Sequence, residues 1–89
     1  MRLELYTSAF CEPCHRARAV VAEAQKLVPA LEVQELDVAA HQQQAFTEGI
    51  TSTPTIVIHA ADGSETLRAE GVPTLTRLLT ALAQAVDAG

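Results

Sequence analysis

The chain has no tryptophan and only three other aromatic residues, Tyr6, Phe10 and Phe46, so its core must be built from aliphatic side chains. It also has little positive charge. Six Lys and Arg are scattered along the chain against eleven Asp and Glu, a net charge of −5. With no basic block and no aromatic stacking set, nucleic acid is not an expected partner. No apolar run approaches the roughly eighteen residues that a transmembrane helix needs, so no membrane partner is expected. The opening stretch MRLELY alternates like a strand. It has neither the apolar stretch nor the small-residue cleavage site of a signal peptide, and a cytoplasmic location is expected. Cysteine is as scarce: Cys11 and Cys14 are the only two. In a cytoplasmic protein such a pair points to catalysis or metal binding rather than to a permanent staple.

What is present suffices for one domain over residues 1–89, since 48% of the residues are apolar. Leu3 and Leu5 share one face of a short strand, with Glu4 and Tyr6 on the other. From Cys11 the period becomes helical: Ala17, Val20, Val21, Ala24, Leu27 and Val28 recur at three- and four-residue steps until Pro29. LEVQELDV is a second strand. Its apolar parity switches between Leu31/Val33 and Leu36/Val38, which predicts a bulge or strand end near Glu35 and Leu36. AAHQQQAFTEG reads as a short helix stopped by Gly49. Thr55 to His59 is apolar throughout, as in a strand buried on both faces. Asp62-Gly63 signals a hairpin into a weaker strand at Glu65 to Ala69. Thr74 can cap a last helix with Leu75, Leu78, Leu79, Leu82 and Val86 on one stripe. The order βαβαββα, with a helix joining the first two strands, implies a right-handed parallel unit plus an antiparallel hairpin. The expectation is a four-stranded mixed sheet flanked by helices.

Cys11 stands where the first strand gives way to the first helix. Unpaired backbone N–H groups and the helix dipole favour a thiolate there. In Cys-x-x-Cys settings such placement lowers one thiol pKa from ~8.5 to roughly 7 or below. Cys14, one turn on, is close enough to close a disulfide, which divides the pair into an attacking and a resolving thiol. Pro13 is harmless this early in a helix. Glu12 disfavours a thiolate, although Arg16 can pair with it at i+4, and His15 and Arg16 add positive charge. Inert structural thiols, or a zinc site completed by His15, His41 or His59, are the competing readings. The second Cys-x-x-Cys or paired histidines of a usual zinc site are not in the sequence.

A second motif, GITSTPT, leads through Pro54 into the apolar strand. With both motifs in place the chain resembles the thioredoxin family along essentially its whole length. CEPC matches that family's Cys-x-Pro-Cys active site, and GITSTPT its proline loop about forty residues on. The resemblance implies a minimal thioredoxin fold and a cis Pro54 packed beside the cysteines. It implies a protein-disulfide reductase whose catalytic residues are Cys11 and Cys14. Thr53 and Pro54 would shape the substrate groove, with Phe10, Glu12 and Pro13 on its rim and His15 and Arg16 as modulators. The redox-active disulfide would serve without metal or bound organic cofactor. Implied partners are disulfide-containing proteins and a thioredoxin reductase or glutathione as electron donor, with the chain a monomer.

Two positions depart from that family: Phe10 replaces a typical tryptophan, and Leu5 replaces a buried acid six residues before Cys11. The proton acceptor for Cys14 then falls to Glu12, His15 or water. A glutathione-dependent, glutaredoxin-like reductase is the rival within redox chemistry. Against it, Glu12 stands where that branch has proline, and Gly71-Val72-Pro73-Thr74 does not match its Gly-Gly turn. The rival outside redox chemistry is a non-enzymatic module that binds metal or docks a partner.

Overall fold

A computed structural model describes residues 1–88, in the order β1 (Arg2–Thr7), α1 (Glu12–Leu27), β2 (Glu32–Asp37), α2 (Gln42–Thr47), β3 (Thr55–His59), β4 (Glu65–Glu70) and α3 (Leu75–Ala88). The sheet order is β2-β1-β3-β4. β1 pairs parallel with β2 and antiparallel with β3, and β3 pairs antiparallel with β4. The chain therefore has a mixed βαβαββα sheet. No helix among the described residues is long and apolar enough to cross a membrane.

The two faces of the sheet bury different sets. Leu3, Leu5, Ile56 and Ile58 face α1 and α3, meeting Ala17, Val21, Ala24, Leu78 and Leu82. Tyr6, Leu36 and Val57 face the other way, against Ala45 of α2. The strand end expected near Leu36 falls at Asp37, and two-sided burial rather than a bulge accounts for the switch of parity in β2. No bulge interrupts its register with β1, which runs unbroken from Arg2↔Glu32 to Thr7↔Asp37. Leu31 and Val33 belong to one cluster and Leu36 and Val38 to the other, so both parities of one regular strand are apolar. The irregularity lies instead between β3 and β4, where Ile58 pairs with Leu67 but His59 with Glu65, leaving Thr66 as the extra residue.

The helices are bounded as local chemistry dictates. The Cys11 side chain caps α1, Pro13 sits in the first turn, and Lys26 lies in the last turn, where a cation favours the dipole. Gly49, at φ 71°, ends α2, and the Ile50 N–H donates back to the Ala45 carbonyl at 2.9 Å. The Thr74 hydroxyl accepts from the Arg77 N–H at 3.1 Å and caps α3. At the far end of its stripe Val86 is exposed, and Ala81 and Ala85 take the buried positions instead. Leu27 of α1 is likewise exposed. One aromatic does enter the core: Tyr6 is fully buried, whereas Phe10 and Phe46 are exposed.

Candidate active site

β1 ends at Thr7, and three residues, Ser8, Ala9 and Phe10, carry the chain from the sheet to α1. Phe10 adopts φ 58°, a left-handed conformation uncommon for a bulky residue, and its ring stands wholly in solvent. Cys11 then caps the helix: its Sγ accepts from the Cys14 N–H at 3.2 Å. Cys11 and Cys14 are joined by a disulfide with Cα atoms 5.2 Å apart. The two sulfurs are not equivalent. Cys14 is buried at 2% exposure, whereas Cys11 is half-buried at the protein surface. A thiol arriving from outside meets Cys11 first.

The loop before β3 forms the other half. The Thr53–Pro54 peptide bond is cis, and the Pro54 side chain is fully buried. The Pro54 carbonyl accepts from the Gly71 N–H at 2.8 Å, with Gly71 at φ 88°, and the Thr55 hydroxyl donates to the Ser52 carbonyl at 2.7 Å. Ser8 and Thr53 share a hydrogen bond between their hydroxyls at 2.6 Å, so the loop leading to Cys11 touches the loop leading to Pro54. A cleft of about 220 Å³ opens beside this contact, lined by Ser8, Val38, Ile50, Thr51, Ser52 and Thr53.

The charged neighbours turn to one another. Glu12 accepts from Arg16 at 3.2 Å on the exposed face of α1. His15 Nδ1 accepts from Arg18 Nη1 at 3.2 Å, since a guanidinium can only donate. Arg18 also grips Glu35 through two bonds of 2.7 Å, and the Thr7 hydroxyl donates to the same carboxylate at 3.4 Å. These bonds from Arg18, opposed by partial burial, hold Glu35 below its ordinary 4.5. Stabilisation from this pair is present above the unfolded carboxylate's pKa and is lost as pH falls through the lower folded value. Both side chains are more than a third exposed, at 46% and 38%. Arg18→Met should therefore cost less than about 1 kcal/mol near neutral pH. In urea titrations its gap from wild type should close as pH falls below about 4; an equal gap at both pH values would refute the assignment.

The residues singled out in the sequence thus fall into three groups. Phe10, Cys11, Glu12, Pro13 and Cys14 are contiguous around the first turn of α1. Thr53 reaches this region through Ser8, and Pro54 follows it in the same loop, tied to Gly71. His15 and Arg16 point into side-chain pairs along α1. Leu5 is buried in the aliphatic cluster, level with Glu35 of β2. The other two histidines are also engaged. His41 Nδ1 lies 3.3 Å from the Asp37 carbonyl, and His59 Nε2 donates to Glu4 at 3.1 Å. Among the described residues, the side chains that could share a cation are Glu4, Glu48 and His59, a group that includes neither cysteine.

Sequence reasoning passed over Ser8, Gly71 and Glu4. Ser8 and Gly71 matter through partners 45 and 17 positions away, for which local pattern carries no signal. Glu4 was legible only as the polar side of an alternating strand, yet it is 3% exposed.

A family model described as Thioredoxin matches residues 3–84. A thioredoxin of Methanocaldococcus jannaschii is 40% identical over 60 residues, covering 66% of this chain and 71% of that protein. Thioredoxin 1 of the thermophile Thermosipho africanus superposes with a TM-score of 0.82 at 14% identity, covering 98% of this chain and 96% of its own. The oxidized mitochondrial thioredoxin 3 of Saccharomyces cerevisiae gives 0.80 at 19% identity, covering 93% and 76%. At such identities the two structures bear on the fold alone.

Proposed function

From the premise that this chain belongs to the thioredoxin family and carries a redox-active Cys11–Cys14 disulfide, we propose that it reduces disulfides in other proteins by dithiol exchange. One observation carries the reading: the half-buried sulfur caps the helix while its partner is buried beneath. In the dithiol form, Cys11 as thiolate is favoured by the Cys14 N–H and by the positive end of α1. It attacks one sulfur of a substrate disulfide. The Cys11–substrate S–S bond forms, the substrate bond breaks, and the other substrate sulfur leaves as a thiolate that takes up a proton.

Cys14 then loses its proton and attacks Cys11. The internal disulfide forms and the second substrate sulfur departs, so two electrons have passed to the substrate. Glu12 pairs with Arg16 and His15 with Arg18, and the proton of Cys14 passes to one of these two side chains or to water. Thr53 offers its main chain to an extended substrate segment beside Pro54, in the manner of an added strand. Phe10, Glu12 and Pro13 border that groove.

The dithiol must be regenerated, and a thioredoxin reductase is the proposed donor. Turnover of a protein disulfide driven by NADPH and such a reductase should exceed turnover driven by glutathione and its reductase by about tenfold or more. The reverse ranking would move the assignment to a glutathione-dependent reductase. Absence of turnover with either donor would leave a binding module, to be tested by metal content after anaerobic purification.

A further inference from the structure

Ser8 has no part in the exchange chemistry described above, yet it makes the one hydrogen bond that spans the two halves of the site among the described residues. Neither the Ser8–Phe10 segment nor the Thr51–Thr53 segment is held by its own ladder. No backbone–backbone hydrogen bond links residues 8–11 with residues 50–54. Sheet pairing stops just short, at Tyr6↔Thr55. The contact that remains is Ser8 Oγ to Thr53 Oγ1, at 2.6 Å and partly shielded from solvent. Two half-buried hydroxyls at that separation satisfy one another, and removing either leaves its partner without that bond.

We propose that Ser8 is a positioning residue that sets the Thr53 main chain relative to Cys11, and so governs the docking of protein substrates without taking part in sulfur exchange. This rests on the reading that a substrate segment pairs with Thr53. A substrate strand must meet Thr53 with its backbone while presenting a sulfur to Cys11, so the spacing of the two loops decides whether both contacts form together. If the loops are tethered beforehand, that ordering is not charged to binding. A small aromatic disulfide has no strand to pair and needs only access to Cys11.

The test compares Ser8→Ala, Ser8→Thr, Thr53→Val and the Ser8→Ala/Thr53→Val pair. For a protein disulfide, Ser8→Ala should raise KM about two- to tenfold, the size of one net hydrogen bond, with kcat within about twofold. Its rate with a small aromatic disulfide should be unchanged. Ser8→Thr, which keeps the hydroxyl, should restore KM, and the double variant should be no worse than Thr53→Val alone. Amide exchange at Ser52 and Thr53 should accelerate in Ser8→Ala and recover in Ser8→Thr. An unchanged KM, or equal losses for large and small disulfides, would overturn the proposal. If the wild-type protein reduces no protein disulfide, the functional reading above fails instead. Exchange at Ser52 and Thr53 then still judges the tether, and no acceleration would refute it.

Discussion

On the proposed exchange, Cys14→Ser protein, reduced and mixed with a disulfide-bearing protein, should accumulate a mixed disulfide through Cys11, and its turnover should fall to the background of uncatalysed exchange. The expectation follows from the asymmetry of the pair. Cys11 stands half-exposed at the helix start, with the residue-14 N–H directed at its sulfur, and serine at 14 keeps that N–H. The attacking thiolate therefore retains its stabilisation while the resolving sulfur is gone, so exchange halts after the first bond forms. Cys11→Ser should form no such adduct, because Cys14 is buried at 2% exposure and an incoming disulfide cannot reach it. Non-reducing electrophoresis and intact mass, before and after reductant, read both outcomes. Equal adduct yields from the two variants would refute the assignment of roles.

The second large effect concerns stability, on the opposite face of β1. His59→Ala should cost about 2–3 kcal/mol in chemical denaturation, more than a half-exposed surface histidine would. The reason is Glu4, a carboxylate at 3% exposure whose Oε1 takes the His59 Nε2–H at 3.1 Å. The other donor to that oxygen is Tyr6, at 3.4 Å. Burial raises the Tyr6 phenol pKa, and Glu4 beside it acts in the same direction, so the hydroxyl keeps its proton and donates. Oε2 is served separately by Gln44 at 3.2 Å and Arg2 at 3.6 Å. Without His59 one oxygen of a buried carboxylate retains a single long hydrogen bond, and unmet acceptors of this kind are costly. In a Glu4→Gln background, where the buried Glu4 carboxylate is gone and Glu48 is the acid left beside the ring, His59→Ala should cost markedly less. Equal costs in both backgrounds would show that His59 acts through packing alone.

The two cases differ in how far they could be read ahead of the structure. The placement of the cysteine pair was legible because it is local, with the spacing and the helix start within four residues, and the redox reading came with the second motif about forty residues on. Glu4 was not. Alternation sets Glu4 and Tyr6 on one face of β1 but does not say whether that face is dry, whereas α2 lies across it, packing on Tyr6, Leu36 and Val57 and reaching the buried Glu4 through Gln44. The same layer accounts for β2, whose switch in apolar parity reads as a bulge only if one face of the sheet is open to water. Val86 shows the converse error. It keeps helical phase with Leu75, Leu78, Leu79 and Leu82, but lies exposed while Ala81 and Ala85 pack inward. A periodic stripe records which residues share a side of a helix, and the neighbouring layer decides which of them it covers.

By itself, the order of residues placed the seven elements, the stops of α1 and α2, the Thr74 cap of α3, and Cys11 and Cys14 one turn apart at a helix start, because each depends on interactions spanning a turn or two of chain. Tertiary structure alone decided which faces are dry and which loops meet. The hydroxyl contact of Ser8 with Thr53, the support of Pro54 by Gly71 and the enclosure of Glu4 by His59 join residues 45, 17 and 55 positions apart. Such contacts depend on the register of the sheet and on the helices that cover it, and no local period in the chain encodes them.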